Sequence, residues 1–309
     1  MKKKKILIVG YSSFVRRRVI PSLKRHKNIS YCICSKSNTI DFKNKILFNR
    51  YEEGLRKFNP NLVYISTVNS LHYSYAKSIL NKGYNLIVDK PVTLEIKKTK
   101  ELVSIAKRKK LFFAEATLFN YHRVFEKIKN LCGGFKNVEH IQSNLNLPLV
   151  KTIKELKQIK GDCEADTATY AAAIIRLFKK DKLRNLSVHK NYFKKTNLVK
   201  NFYVMANSRK LTYFGNFAFQ REYTQQIIFY TKNKIIFSPQ RVFALPPNKD
   251  LKIIVKSNNN IKKIKVKKDD CIKNFFQLIF KSINNKRYSF FYSTILEEAK
   301  IRAAITKIS

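Results

Sequence analysis

Residues 61–91, NLVYISTVNSLHYSYAKSILNKGYNLIVDKP, constrain this chain more than any other stretch. Leu62 to Ile65 is a short β-branched and aromatic run that stops at Ser66 and Thr67, and Leu86 to Val88 is a second that stops at Asp89. Between them Ala76, Ile79 and Leu80 recur at helical spacing, and Gly83 stands where a helix is expected to end. Strand, helix and strand in that order make a βαβ unit. Its two strands run parallel, with their carboxyl ends on one edge of the sheet, where open α/β folds bind ligands. Asn69, His72 and Lys90 therefore share one rim. Lys90 is singled out by its place at a strand end and by Pro91, which biases it away from helix and favours a cis bond more than other residues do. The plainer alternatives are a solvated surface lysine and, for His72, a satisfied structural histidine.

The segments on either side extend this unit. Residues 5–10, KILIVG, read as a strand running into Gly10-Tyr11-Ser12-Ser13-Phe14-Val15 and then a helix. A dinucleotide fingerprint, G-x-G-x-x-G, belongs at such a place because the turn and the helix N-terminus together receive a pyrophosphate. Only its first glycine is present, with Ser12 and Val15 at the other two positions. The next strand, Ile29 to Cys34, ends in Ser35-Lys36-Ser37, where an NAD site would place an acid for the ribose 2′-hydroxyl. Hydroxyls and a cation suit a 2′-phosphate instead, which favours NADPH over NADH. Thr93 to Lys110 is expected to be a helix with Leu94, Leu102, Val103 and Ala106 inward, and Leu111 to Ala114 a further strand. The dinucleotide domain is then residues 1–119 and a second domain is residues 120–309.

In the second part, Asp162 to Lys179 is an alanine-rich helix that places Asp166 and Tyr170 one turn apart on one face. Taken singly, a helix-terminal acid and a half-buried core aromatic explain them better. From Leu183 to Ile264 short β-rich runs (LTYFGNFAF, YTQQIIFYT, NKIIFSP, DLKIIVKS, IKKIKV) separated by turn residues suggest an antiparallel sheet. Two C-terminal helices are expected to pack back on the body. The fold class is thus α/β: a Rossmann-type doubly wound parallel sheet, then an α+β domain with an open, mostly antiparallel sheet.

Composition limits the function. No apolar stretch approaches the ~20 residues of a membrane span, and the apolar run after MKKKK is too short for a signal-peptide core, so a cytoplasmic protein without a membrane partner is expected. Five cysteines without CxxC or Cys/His clustering indicate neither a disulfide framework nor a metal site. The net charge of +44 would ordinarily prompt a search for nucleic acid, but the lysines are spread through nearly every segment and form no confined stripe. A specific nucleic-acid partner is not expected. The charge still attracts an anionic substrate.

With these residues in place, the chain resembles the glucose-fructose oxidoreductase, inositol dehydrogenase and rhizopine-catabolism (Gfo/Idh/MocA) family. The segments that carry the likeness, in the family's order, are ILIVGYSSFVRRRVIPSL, VYISTVNSLHYSYA, VDKP for its E-K-P, FFAEATLFNYH, and GDCEADTATY for its D-x-G-x-[HY] segment. The resemblance implies a Rossmann domain followed by an α/β domain whose open sheet often pairs subunits, hence a homodimer or homotetramer. It implies NADP, or NAD, as cofactor, and Lys90, Asp166 and Tyr170 as the catalytic group. It places Gly10, Ser12, Ser13, Phe14, Ser35, Lys36, Thr67, Asn69, His72, Asp89 and Lys90 around the cofactor. YTQQIIFYTKNKIIFSPQRVFALPPN is most similar to members that reduce keto groups on nucleotide-linked sugars. Asp89 for glutamate, and Ser12, Val15, Lys160, Asp162 and Ala168 for glycines, are departures. They keep open a non-catalytic dinucleotide sensor or scaffold, alongside a sugar or polyol dehydrogenase working oxidatively.

Overall fold

The computed structural model describes residues 3–35, 47–148, 151–159, 161–178 and 183–308. Its elements begin β1 (Lys4–Val9), α1 (Ile20–Lys24), β2 (Ile29–Cys34), β3 (Leu47–Phe48), α2 (Tyr51–Phe58), β4 (Leu62–Ile65), α3 (Asn69–Asn81), β5 (Leu86–Asp89), α4 (Ile96–Arg108) and β6 (Phe113–Ala116). The chain continues through α5 (Val124–Leu131), β7 (Val138–Leu147), α6 (Ile153–Ile159), α7 (Cys163–Phe178), β8 (Asn185–Tyr192), β9 (Val199–Asn207) and β10 (Thr212–Phe219). It ends with β11 (Thr224–Thr231), β12 (Lys234–Phe237), β13 (Leu251–Ser257), β14 (Asn260–Val266), α8 (Cys271–Asn284) and α9 (Ser289–Lys307). Two compact units result: Met1–Ala116 with Ile272–Leu296, and Thr117–Cys271 with Glu297–Ser309.

In the first unit six parallel strands lie in the order β3-β2-β1-β4-β5-β6. Leu62 to Ile65 and Leu86 to Val88 are buried at every position, the pattern of strands covered on both faces. Leu7, Val9, Val63, Ile65 and Val88 share one core with Ala76, Ile79 and Leu80 of α3 and with Leu102, Val103 and Ala106 of α4. The doubly wound sheet expected from the sequence is present. Two local expectations shift: α4 begins at Ile96, so Leu94 lies ahead of it and is 39% exposed, and the strand expected from Leu111 runs instead from Phe113. The C-terminal segment also joins this unit, beyond a single division at 119/120. Tyr64 meets Phe276 edge-on, Phe112 packs on Phe291 at 4.7 Å, and the Tyr292 hydroxyl donates to the Leu111 carbonyl.

The second unit holds eight strands in the order β14-β13-β12-β11-β7-β10-β9-β8, antiparallel except for the β7–β10 pair. α7 packs on β7, β9 and β10. Ala168, Ala171, Ala172 and Ala173 are at most 1% exposed, their small side chains letting the helix approach closely. At its far end Arg176 donates to the buried Glu298 at 2.7 Å, Glu298 also accepts from Thr117, and Arg302 bonds Thr169.

The opposite face of this sheet has a different composition. Across β11, β7, β10, β9 and β8 the registers align four rows: Thr224-Asn146-Ala218-Asn201-Asn191, Gln226-Asn144-Asn216-Tyr203-His189, Ile228-Gln142-Phe214-Met205-Ser187 and Tyr230-His140-Thr212-Asn207-Asn185. None of these residues is Lys, Arg, Asp or Glu, in a chain with 64 Lys and Arg.

Candidate functional site

The first unit's site is built where β1 and β4 end. Gly10 has φ +100°, and its N–H donates to the Cys34 carbonyl at 2.8 Å. A Cβ at this position would lie 2.2 Å from the Ser66 carbonyl oxygen, so the turn after β1 sits directly against the end of β4 and admits only glycine. Ser12 follows. Its Oγ accepts from the Val15 N–H at 3.1 Å, as a capping serine does, and lies 2.8 Å from Ser66 Oγ. Val15, at the third fingerprint position, is fully buried, and Val15–Val19 forms a π-helical turn before α1.

At the end of β5 the Asp89 carboxylate accepts from the Tyr64 hydroxyl and from Ser66 Oγ. Burial pushes its pKa up from the usual carboxylate value, while these two hydrogen bonds and the neighbouring His72 and Lys90 pull it back. Lys90 is half-buried, and the Lys90–Pro91 bond is cis. His72 is fully buried, its Nδ1 2.8 Å from the Pro91 carbonyl and its Nε2 3.2 Å from that of Thr67. It ties the turn after β4 to the turn after β5, the structural role.

A cavity of about 480 Å³ opens along the same strand ends, lined among others by Gly10, Ser35, Thr67, Arg50, Leu71 and Tyr75. That volume suits a small-molecule site. Arg50 stands 3.9 Å from Glu52, and the rings of Tyr51 and Tyr75 are 5.1 Å apart. Ser13 and Phe14 are exposed and Asn69 is half-buried at the start of α3. Lys36 and Lys160 lie outside the described residues.

In the second unit Asp162 explains its own departure from glycine. Its Oδ1 accepts from the Ala165 N–H at 2.8 Å, capping α7, and its Oδ2 accepts from the Val199 N–H at 2.9 Å, tying the helix start to β9. The cap fixes where α7 begins and so which face carries Asp166 and Tyr170. Both are half-buried, and the Tyr170 ring packs against Phe243 at 4.9 Å and Phe119 at 5.8 Å. Among the described residues no group of His, Cys, Asp and Glu is placed to hold a metal ion, and no helix is long and apolar enough to cross a membrane.

Residues 4–117 match the model of the oxidoreductase family with an NAD-binding Rossmann fold, GFO_IDH_MocA. These residues belong to that family. The Gfo/Idh/MocA match ends at the close of β6, and two curated relatives overlap only part of this chain. A trans-1,2-dihydrobenzene-1,2-diol dehydrogenase of Xenopus laevis is 20% identical over 133 residues, 42% of this chain and 40% of the relative. A dTDP-3,4-didehydro-2,6-dideoxy-alpha-D-glucose 3-reductase of Streptomyces violaceoruber is 23% identical over 138 residues, 43% of this chain and 40% of the relative. The matched stretch thus spans about two-fifths of each relative's length. The fold likeness reaches further: a 3-ketoreductase from Actinomadura kijaniata, in complex with TDP-benzene and NADP, superposes with a TM-score of 0.88 at 15% identity over 99% of this chain and 98% of its own.

The sequence did not point to Ser66, Arg50 or the capping use of Asp162. Asp162 had a readable signal, an acid immediately before an alanine-rich helical run. Arg50 and Ser66 had none, because their partners come from distant parts of the chain.

Proposed function

We propose that the chain is an NADPH-dependent reductase of a keto group on a sugar, the sugar being carried on a nucleotide. The observation that carries the reading is the pairing of Gly10 with Ser66 at the carboxyl edge of a Rossmann sheet whose β5 ends at Lys90. The residues present fit a dinucleotide: Gly10 lets the turn after β1 close against the end of β4, the following turn leads into a helix, and the adjoining cavity has a tyrosine wall and a flanking arginine. Gly10, Ser12, Ser13 and Phe14 would hold the pyrophosphate, and Thr67, Asn69, Asp89 and Lys90 the nicotinamide end. Ser35 with Arg50, and no acid at the end of β2, supports a 2′-phosphate and hence NADPH. The dinucleotide when bound supplies the hydride.

The remaining chemistry falls to side chains. Tyr170 gives its proton to the alkoxide oxygen that forms on the sugar, and the Lys90 ammonium stabilises the charge on that oxygen before the proton arrives. Asp166 orients the sugar hydroxyls. The relatives named above act, by their names, on a diol and on a dTDP-linked sugar, which supports this substrate class.

Titration of the purified protein with NADPH and NADH, followed by fluorescence, tests the cofactor; tighter binding of NADPH is expected, and binding of neither removes the reading. With NADPH saturating and a panel of keto-sugar nucleotides as substrates, Lys90→Ala should lower turnover by about 10²–10³. Binding without turnover of any substrate in the panel would leave a dinucleotide sensor, the reading that the altered fingerprint favours.

The uncharged part of the sheet face, across β11, β7, β10, β9 and β8, supports self-association as a homodimer or homotetramer; the same rows carry Lys256 on β13 and Lys263 on β14. Two molecules of charge +44 repel at long range, and an uncharged patch lets them meet with the fewest like charges in contact; on this patch Asn146 Oδ1, Asn201 Nδ2 and Asn216 Oδ1 are buried without a hydrogen-bond partner among the described residues.

A further inference from the structure

Two departures from the family pattern, Ser12 for a glycine and Asp89 for a glutamate, meet through a third residue. The proton directions follow from what each group can do. An ionised Asp89 only accepts, so Ser66 donates to it and takes a hydrogen bond from Ser12, whose oxygen takes one from the Val15 N–H. Tyr64 donates to the other carboxylate oxygen. The chain of bonds runs unbroken from the first helical turn after Gly10 to the residue before Lys90. Ser66 is 1% exposed and has its backbone N–H on the Val9 carbonyl at 2.8 Å, so it acts by holding its neighbours.

We infer that Ser12, Ser66 and Asp89 are positioning residues for the dinucleotide turn, with Asp89 as the anchor, so that a serine at position 12 has become necessary where a glycine is usual. This rests on the reading of the chain as a dinucleotide-binding reductase. A glycine at position 12 offers no hydroxyl: the Val15 N–H loses its acceptor, Ser66 loses its donor, and the turn is left tethered only by backbone. Asn at position 89 turns one acceptor into a donor that faces either Ser66 or Tyr64, each already donating, and breaks the chain at its other end.

The test is a fluorescence titration with NADPH, with the melting temperature measured alongside, on the wild type, Ser12→Gly, Ser66→Ala, Asp89→Asn and the Ser12→Gly/Asp89→Asn double variant. Ser12→Gly, which restores the fingerprint, is expected to weaken NADPH binding by about 3- to 10-fold, and the buried Ser66→Ala to do the same. In the Asp89→Asn background Ser12→Gly is expected to change the affinity less than it does in the wild type, because the link to Ser66 is already broken and only the Val15 N–H still loses its acceptor. Fold-changes that multiply, a Ser12→Gly variant that binds as well as the wild type, or lowered melting temperatures with unchanged affinity would each overturn the inference. Should Ser66→Ala not fold, Ser66→Cys keeps the volume and supplies the same comparison with a much weaker hydrogen-bonding group. A wild type that binds no dinucleotide would sink the broader reading before any substitution is compared, which keeps the two failures apart.

Discussion

Cys32 and Cys163 carry thiols that burial pushes up to about 12, and the same cause pushes Cys34 and Cys132 up to about 11. The folded state therefore holds these protons more tightly than an unfolded chain, whose thiols titrate near 9.0. This contribution to stability is complete below about pH 9 and is lost as pH rises through the folded values. All five cysteines are buried and unbridged, so the native protein should leave a thiol-specific disulfide reagent unreacted at pH 8 and expose five reactive groups on unfolding. Its melting temperature should fall between pH 9 and 11; a reactive thiol in the native state would contradict the assignment. At this scale Cys32 and Cys34 were legible, since alternation on an apolar strand implies burial. Lys90 stood out by its strand end and its proline. The Ser12–Ser66 contact was not legible: it joins residues 54 apart, and neither serine differs locally from any turn serine.

Among the elements, α7 was readable because its alanine-rich run has strong helical propensity. β7 was missed although it is central to its sheet. Its inward positions include Ser143, which bonds the Tyr213 hydroxyl, so the apolar alternation breaks where a reader looks for it. β8 and β9 were covered by the general β-rich character of their region but not marked as runs. The pair Arg176 and Glu298 shows what elements exchange beyond apolar contact. Glu298 is 0% exposed, and removing it takes the carboxylate away from the largely buried Arg176 guanidinium. Glu298→Ala should cost about 3–5 kcal/mol in chemical denaturation, whereas Arg176→Met with Glu298→Leu together should cost far less. Equal losses for the single and double variants would show that the pair is not what holds α7 and the end of α9 together.

For the whole molecule the fold class was legible because strands and helices alternate in the first part of the chain, whereas short β-rich runs follow one another without intervening helices from Leu183 to Ile264. The return of residues 272–296 to the first unit was not, since an amphipathic helix carries no label of the surface it covers. Charge acts at this scale too. If copies associate through the uncharged sheet face, the attraction is local and the repulsion between molecules of +44 is long-ranged, so added salt screens the repulsion and should tighten association. Sedimentation from low to moderate ionic strength measures it, and dissociation on adding salt would exclude that face as the contact.

The same return has a consequence during synthesis. A chain emerging from the ribosome makes all six strands of the first sheet by residue 116, yet Tyr64, Leu111 and Phe112 lack Phe276, Phe291 and Tyr292 until the second sheet has also been made. In the usual order an N-terminal domain folds first and alone; here that domain would do so without the cover of residues 272–296. Until residues 272–296 are made that sheet stays partly uncovered, and apolar surface exposed in the interval favours aggregation.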